Sequence, residues 1–374
     1  MQTLHHISRI LLVFLLFGVL IALSESSFTQ NGGSFKLVEA APTGMRATVL
    51  VANGSYFCGD NFIHAPNSRG VNEVCDGART PSCQDLGYFG GTTSCTSTCQ
   101  RIDQSNCFNP IYTTPTQDIP YGPKSQQVID FYPPTNPTGP FPVIIYAHSG
   151  GFTTGDETIL FPNPQVQTYL DNGFGFISIR YRLAPVPGQI VSPDDDMYAN
   201  AYAMHRDVYD SIKFVKENAN DFGINPNWIT TYGRSAGAVL LCKAVYDDEW
   251  EDLGIAAHVN HIGMTHFPSY THPTTGAELF GVDKYVDADP QLLIDASCTT
   301  MIQNTTKPIV PTLSLYGLPL GTLPSNNPHE GAFGVLLHNT IDAKIGTPNS
   351  STLYIGGHTP QIMADWLKDI MNIP

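Results

Sequence analysis

The chain has 374 residues, 42% of them hydrophobic and only 14% charged, with 33 Gly and 29 Pro. That length allows one large domain plus an accessory, or two domains, with enough apolar residues for a sizeable core and many turns. The formal net charge of −15 argues against nucleic acid and anionic membrane surfaces as partners, and favours a neutral substrate over a polyanionic one.

The chain opens on an address. Arg9 closes a short basic leader, Ile10–Leu23 is an unbroken apolar run, and Ala22-Leu23-Ser24 sets small residues where a signal peptidase reads. Residues 1–24 read as a secretory signal peptide rather than an anchor, because so short a run falls below a bilayer span. No later stretch is apolar enough to span a membrane, so the expected product is soluble, exported and secreted, in a compartment where disulfides persist. Asn53, Asn304 and Asn349 each open a glycosylation sequon. Residues 25–57 follow as an N-terminal arm and strand: polar and loose to about 45, then a strand over Ala47–Ala52.

Residues 58–107 form a distinct block. Cys58, Cys75, Cys83, Cys95, Cys99 and Cys107 are separated by Gly, Asn, Ser and Thr with almost no aliphatic run. Such a segment cannot bury enough apolar surface to fold unaided, so it is expected to be a disulfide module with three bridges, whose pairing the spacing leaves open. A zinc site is the rival reading, but only Cys95-x-x-x-Cys99 approaches zinc-ligand spacing.

From residue 110 to 374 the texture becomes that of an α/β domain. Gln127–Pro134 is a strand ending at prolines, and Pro142–Ala147 is a fully apolar strand of the kind buried on both faces of a parallel sheet. Gln165–Asn172 has a helical pattern, Gly173–Arg182 holds the next buried strand, and Met197–Asn218 is a long amphipathic helix. Ile229–Tyr232, Ile262–Phe267, Pro311–Tyr316 and Thr352–Ile355 read as strands, and Pro360–Asn372 as a closing helix. Alternating strands and helices imply a mostly parallel central sheet.

One stretch carries chemistry. The run Ile229–Tyr232 leads into Gly233-Arg234-Ser235-Ala236-Gly237, followed by the helical Val239–Ala244. Strand, G-x-S-x-G and helix is the setting of a nucleophile elbow, where a tight turn exposes the serine and flanking side chains would clash. A serine hydroxyl needs a base, a group that orients the base, and donors for an oxyanion. Gly150 and Gly151, after the strand ending at Ala147, and the amide of Ala236 are the expected oxyanion donors. His358, in a loop after the last strand, is the expected base, with His329 and His338 as alternatives, because active sites of parallel α/β sheets form at the carboxyl ends of strands. His148 is expected to brace the glycine loop. Cys242 reads as a small buried residue, and its pairing with Cys298 stays open.

The blocks His148-Ser-Gly-Gly-Phe152, Tyr181-Arg-Leu-Ala-Pro185 and Gly233–Gly237 together resemble the α/β-hydrolase superfamily, and within it the carboxylesterases related to hormone-sensitive lipase. The resemblance covers about residues 125–374. It implies the α/β-hydrolase fold, a Ser–His–acid triad with acyl-enzyme chemistry, and no cofactor or metal. The chain departs from the pattern at Ser149, where a glycine is usual, and at Leu320, where the acid is expected. The next carboxylate is Glu330, which keeps the order serine, acid, histidine and becomes the expected acid; Asp342 is the lesser candidate. The block Cys58–Cys99 resembles cysteine-rich repeats of secreted myxobacterial-type proteins, which implies a structural or adhesive accessory.

The expected activity is a secreted serine esterase that cleaves a neutral carboxylic ester through Ser235, His358 and Glu330. One alternative is a lipase or a plant-polymer or polyester esterase that uses the cysteine module for attachment. The other is a non-catalytic binding or adhesion protein on a hydrolase scaffold. The segment His266–Pro311, with Phe267, Tyr270, Phe280 and Tyr285, is expected to cap the pocket.

Overall fold

In the computed structural model the chain divides into two units, Met1–Cys107 and Phe108–Pro374. The structure describes residues 57–160, 164–185, 192, 195–270, 290–346 and 351–373, together with the backbone alone of 12–16, 19–30, 33–41 and 47–53. The start of the expected signal peptide, residues 1–11, lies outside the described residues, as do Phe280 and Tyr285 of the expected cap.

In the first unit, four strands form an antiparallel sheet in chain order: β1 (Leu12–Leu16), β2 (Val19–Gln30), β3 (Gly33–Ala41) and β4 (Ala47–Asn53). The strand expected over Ala47–Ala52 is present. Residues 25–45, expected as a loose arm, are for the most part paired strand instead. The overlooked signals are the alternation Phe35-Lys36-Leu37, which has the period of a strand, and Asn31-Gly32, the dipeptide most favourable to a hairpin connection.

The cysteine block joins Cys58 to Cys99, Cys75 to Cys95 and Cys83 to Cys107, so the six thiols do form three disulfides. Two short strands, β5 (Gly90–Cys95) and β6 (Ile102–Phe108), pair with each other. Cys75, Cys83 and Cys99 are almost wholly buried and stand in for the missing aliphatic core. Buried carboxylates tie down the loops between them. Asp76 accepts the amides of Gly59 and Asn61, and Glu73 accepts the His64 amide and Asn67 Nδ2.

The second unit is built on an eight-stranded sheet. Its strands are β7 (Thr116–Pro120), β8 (Val128–Tyr132), β9 (Phe141–Ala147), β10 (Gly175–Ile179), β11 (Ile224–Arg234), β12 (Ala257–His261), β13 (Thr312–Tyr316) and β14 (Thr352–Ile355). Their order is β14-β13-β12-β11-β9-β10-β8-β7, parallel throughout except that β8 runs antiparallel to both β10 and β7. Every residue of β8, β9, β10 and β13 is buried, which explains why these strands are nearly continuous apolar runs.

Helices cover the sheet. α1 (Pro164–Asp171) packs with the closing helix Pro360–Met371, and Val166, Tyr169, Met363 and Leu367 share a core with Ile144 and Phe176. α2 (Ala201–Glu217) is capped by Asn200, whose side chain accepts the Ala203 amide at 2.9 Å, and buries Met204, Val208, Ile212 and Val215 at helical spacing. The short α3 (Ala219–Phe222) ends at Gly223 and leads into β11. α4 (Ala236–Tyr246) follows β11 and packs against α2. Cys242 on α4 is disulfide-bonded to Cys298, at the start of the helix Cys298–Asn304.

One expected strand is displaced. Ile262–Phe267 is not a strand; the strand is β12, just before it, and Phe267–Ser269 is a single 3-10 turn. β12 reads Ala-His-Val-Asn-His, a polar sequence for a central strand, but each polar side chain has a neighbour. His258 Nδ1 lies 2.9 Å from Thr231 Oγ1, Asn260 Nδ2 donates to Tyr316 Oη at 3.0 Å, and His261 Nδ1 lies 3.0 Å from Tyr232 Oη. Cross-strand polar pairs of this kind satisfy most of the buried groups, His258 Nε2 excepted, and leave no apolar run to read.

These histidines bear on stability. Burial pushes His148 and His258 down to about 4 and His205 and His261 to about 3, from an ordinary 6.5, with neighbouring cations adding to burial at His205 and His261. The unfolded chain therefore takes up protons near pH 6.5 that the folded chain refuses until pH 3–4. Stability present above pH 6.5 is lost as pH falls through that window, by up to about 1.4 kcal/mol per pH unit for each such histidine. Urea unfolding at pH 7.5, 6 and 5 is expected to show a steep fall in stability; equal stability at the three values would contradict the burial of neutral imidazoles.

Candidate active site

The site forms at the carboxyl ends of β9, β11, β12 and β13. Ser235 sits between β11 and α4 with φ 52° and ψ −116°, a backbone state that side chains rarely adopt and that a tight strand-to-helix turn imposes. The flanking glycines are steric requirements. A Cβ on Gly233 would lie 2.4 Å from Ala238 Cα, and one on Gly237 would lie 2.1 Å from the Ala147 carbonyl oxygen. The second contact shows how closely the start of α4 lies against the end of β9. The Ser235 amide is already committed, donating to the His261 carbonyl at 2.9 Å.

The glycine loop follows β9. Gly150, Gly151 and Phe152 have φ of 131°, 58° and 67°, and the Gly150 carbonyl accepts the amides of Thr153 and Thr154 at 3.1 Å. A Cβ on Gly150 would come within 1.8 Å of the Thr154 carbonyl oxygen, so only glycine fits. His148 braces this loop as expected. Its ring stacks on Tyr181 with centroids 4.1 Å apart, its Nδ1 donates to the Ser149 carbonyl at 2.7 Å, and Tyr181 Oη donates to the His148 carbonyl at 2.8 Å. The neighbouring Arg182 is buried and pairs through two nitrogens with Asp207 of α2, which also accepts Gln127 Nε2. The block Tyr181–Pro185 thus ties the glycine loop and the sheet to α2.

The histidine that meets the serine is His329. Its Nε2 lies 2.8 Å from Ser235 Oγ. His329 closes the loop between β13 and the helix Gly331–Ile345, and its amide donates to Asn327 Oδ1 at 3.1 Å. Burial, then the Arg234 guanidinium, holds its imidazole below the usual histidine range, so it is neutral at pH 7 and its free nitrogen lone pair can take a proton.

His358, the expected base, is not the histidine that Ser235 meets. It follows β14 as anticipated, but its ring packs edge-on against His261 with centroids 4.4 Å apart. Burial and Arg234 also hold its pKa below the ordinary value. Glu330, the expected acid, is not brought to His358. Its carboxylate accepts Ser325 Oγ at 3.0 Å and lies where a Cβ on Gly321 would stand. It therefore fastens the two ends of the loop that delivers His329. Asp342 lies on the helix Gly331–Ile345, with an oxygen 3.5 Å from His338 Nε2. Leu320, at the position where an acid was expected, is exposed, and its carbonyl accepts the Ala332 amide at 2.7 Å.

Ser149, Gly150, Gly151, Thr153, Thr154, Arg234, Ser235, Ile262 and His329 line an open cleft of about 370 Å³. Ile262 has φ 49°, an unusual state for a β-branched residue, and its amide donates to the Leu315 carbonyl at 2.9 Å. Sequence reasoning overlooked the place of Arg234 in this wall and ranked His329 second. The criterion used for His358, a loop at the carboxyl end of a parallel strand, applies equally to His329 after β13.

Comparisons with known proteins agree with this fold. The BD-FAE family model matches residues 129–310. Phenmedipham hydrolase of Pseudarthrobacter oxydans is 30% identical over 114 residues, 30% of this chain and 22% of that protein. Esterase LipQ of Mycobacterium tuberculosis is 31% identical over 141 residues, 36% of this chain and 29% of that protein. The chain thus matches less than a third of the length of these curated relatives. Among solved structures, a truncated carbohydrate esterase from gut microbiota superposes with a TM-score of 0.54 at 16% identity, covering 70% of this chain and 98% of that one. Esterase B of Lactobacillus rhamnosis, inhibited by a tributyrin phosphonate, gives 0.55 at 15% identity, covering 69% and 86%. The chain carries an α/β-hydrolase domain, similar to the BD-FAE family and to carboxylesterases.

Proposed function

We propose that the protein is a serine hydrolase of carboxylic esters, and the observation that carries this reading is the 2.8 Å pairing of Ser235 Oγ with a neutral His329 at a strained elbow. Ser235 Oγ attacks the ester carbonyl while His329 Nε2 takes its proton. The amides of Gly150, Gly151 and Ala236 receive the developing oxyanion; both glycines line the cavity with Ser235, and Ala236 opens α4, whose first amides have no intrahelical acceptor. His329 returns the proton to the leaving alcohol, and a water activated by the same imidazole releases the acid from the acyl-enzyme. No step uses a cofactor or metal. Glu330 positions the base through its loop rather than through the imidazole.

Export fits the same reading. The apolar run over Ile10–Leu23 and the four disulfides support a secreted enzyme. The cysteine module serves as a stapled accessory; its role in holding the enzyme near a polymeric ester is a matter for deletion of residues 58–107.

The reading is tested with a fluorophosphonate probe, which phosphonylates only a serine activated as a nucleophile. Labelling of the wild type that disappears in Ser235→Ala is expected. Equal labelling of both proteins, or of neither, would leave a binding protein on a hydrolase scaffold as the better account.

A further inference from the structure

Residues 108–374 contain four arginines, and three of them are paired: Arg180 with Glu157 and Asp118, Arg182 with Asp207, and Arg206 with Asp210. Arg234 is different. It stands immediately before the nucleophile, is exposed, and lines the cavity, yet among the described residues no carboxylate pairs with its side chain and no hydrogen bond engages its guanidinium. This is notable in a chain with 33 acidic residues against 18 basic ones. Among the described residues no carboxylate lines the cavity either; its other polar side chains are Ser149, Thr153, Thr154, Ser235 and His329. The guanidinium reaches far enough into the site to depress three imidazoles, His261, His329 and His358. A permanent cation beside a nucleophile, left without a counter-ion and facing only neutral groups, is an open seat for an anion.

The geometry points to Arg234 as a carboxylate-binding subsite, so that the preferred substrates are esters that carry one carboxylate near the ester bond. The inference rests on the ester-hydrolase reading and refines the neutral substrate expected from overall charge. A guanidinium presents two parallel N–H donors that match a carboxylate, and a single carboxylate is compatible with the acidic surface in a way that a polyanion is not. Because Arg234 is solvent-accessible, the effect is that of a partly screened pair, about two- to fivefold in kcat/KM, and it weakens as salt is added.

The carboxylate can lie on the acyl or on the alcohol side, and two substrate pairs separate these. Mono-4-nitrophenyl adipate against 4-nitrophenyl hexanoate probes the acyl side; 4-acetoxybenzoate against 4-acetoxybenzamide probes the alcohol side. In the wild type one anionic member is expected to lead its neutral partner about two- to fivefold in kcat/KM at low salt. Arg234→Gln brings that ratio to about one, and Arg234→Lys retains part of it. A ratio unaltered by Arg234→Gln overturns the inference. So does a wild type that favours the neutral member of both pairs. If Arg234 acted only on the histidines, the acid limb of every pH profile would move to higher pH and the ratios would stand still.

A binding arm keeps the test independent of turnover. Calorimetric titration of Ser235→Ala with monoethyl adipate, whose carboxylate is on the acyl side, and with 4-acetoxybenzoate, whose carboxylate is on the alcohol side, is expected to show binding of one of them that is lost when Arg234→Gln is added. Equal binding with and without Arg234, or no binding of either, overturns the inference whatever the activity. Arg234-dependent binding with no Ser235-dependent hydrolysis of any ester would instead overturn the hydrolase reading alone.

Discussion

Replacing Ser235 with alanine is expected to lower kcat on short p-nitrophenyl esters by about a millionfold, the size seen when a hydrolase loses its nucleophile, with little change in KM. The asymmetry follows from geometry. The cavity wall contributed by Ser149, Gly150, Gly151, Thr153, Thr154 and Ile262 is untouched by the substitution, so ground-state binding survives. What disappears is the only hydroxyl held 2.8 Å from a neutral imidazole among the described residues of that wall. The fold should also survive. Elbow strain belongs to the backbone, at φ 52°, and is fixed by the contacts of Gly233 and Gly237, so alanine inherits it rather than relieving it. Stopped assays on purified Ser235→Ala, with circular dichroism to confirm folding, check both halves. Residual kcat within tenfold of the wild type would remove Ser235 from the chemistry.

Most of this architecture could be read from the chain because parallel strands buried on both faces leave plain apolar runs. Phe141–Ala147 is such a run, and it lies within a residue of where the pattern placed it. The elbow was legible for a different reason. Gly233 and Gly237 sit where any Cβ would strike backbone, so the local chain carries the constraint itself. Legibility failed where the determining partner was distant in sequence. β12 is polar by composition, and Thr231, Tyr232 and Tyr316, from its two neighbours in the sheet, pair with His258 Nδ1, His261 Nδ1 and Asn260 Nδ2. The Cys242–Cys298 bridge spans 56 residues and needed a helix to bring the second cysteine to α4. The choice between His329 and His358 was of the same kind. Both follow parallel strands, and only the path of the β13 loop, fixed by Ser325, Asn327 and Glu330, decides which ring reaches Ser235.

That choice gives the second large effect. His329→Ala should reduce kcat/KM by about three orders of magnitude or more, as expected when the general base of a serine hydrolase is removed. His358→Ala should cost far less, about tenfold or below. Its ring packs on His261 rather than on Ser235, so its loss opens a contact at the edge of the site without removing a proton acceptor. Glu330→Gln should fall between the two and should leave a distinctive trace. The amide keeps an acceptor for Ser325 Oγ, so the loop holds and much of the activity remains, whereas Glu330→Ala frees the loop and lowers kcat towards the His329→Ala level. Had Glu330 been the acid of a triad, Gln and Ala would be about equally damaging, because an amide cannot stabilise the imidazolium as a carboxylate does. The comparison is made by measuring kcat/KM on one soluble ester for the four variants side by side. A severe loss in His358→Ala with a mild one in His329→Ala would return the base to the loop after β14. It would also mean that the β13 loop must swing away from Ser235 before catalysis.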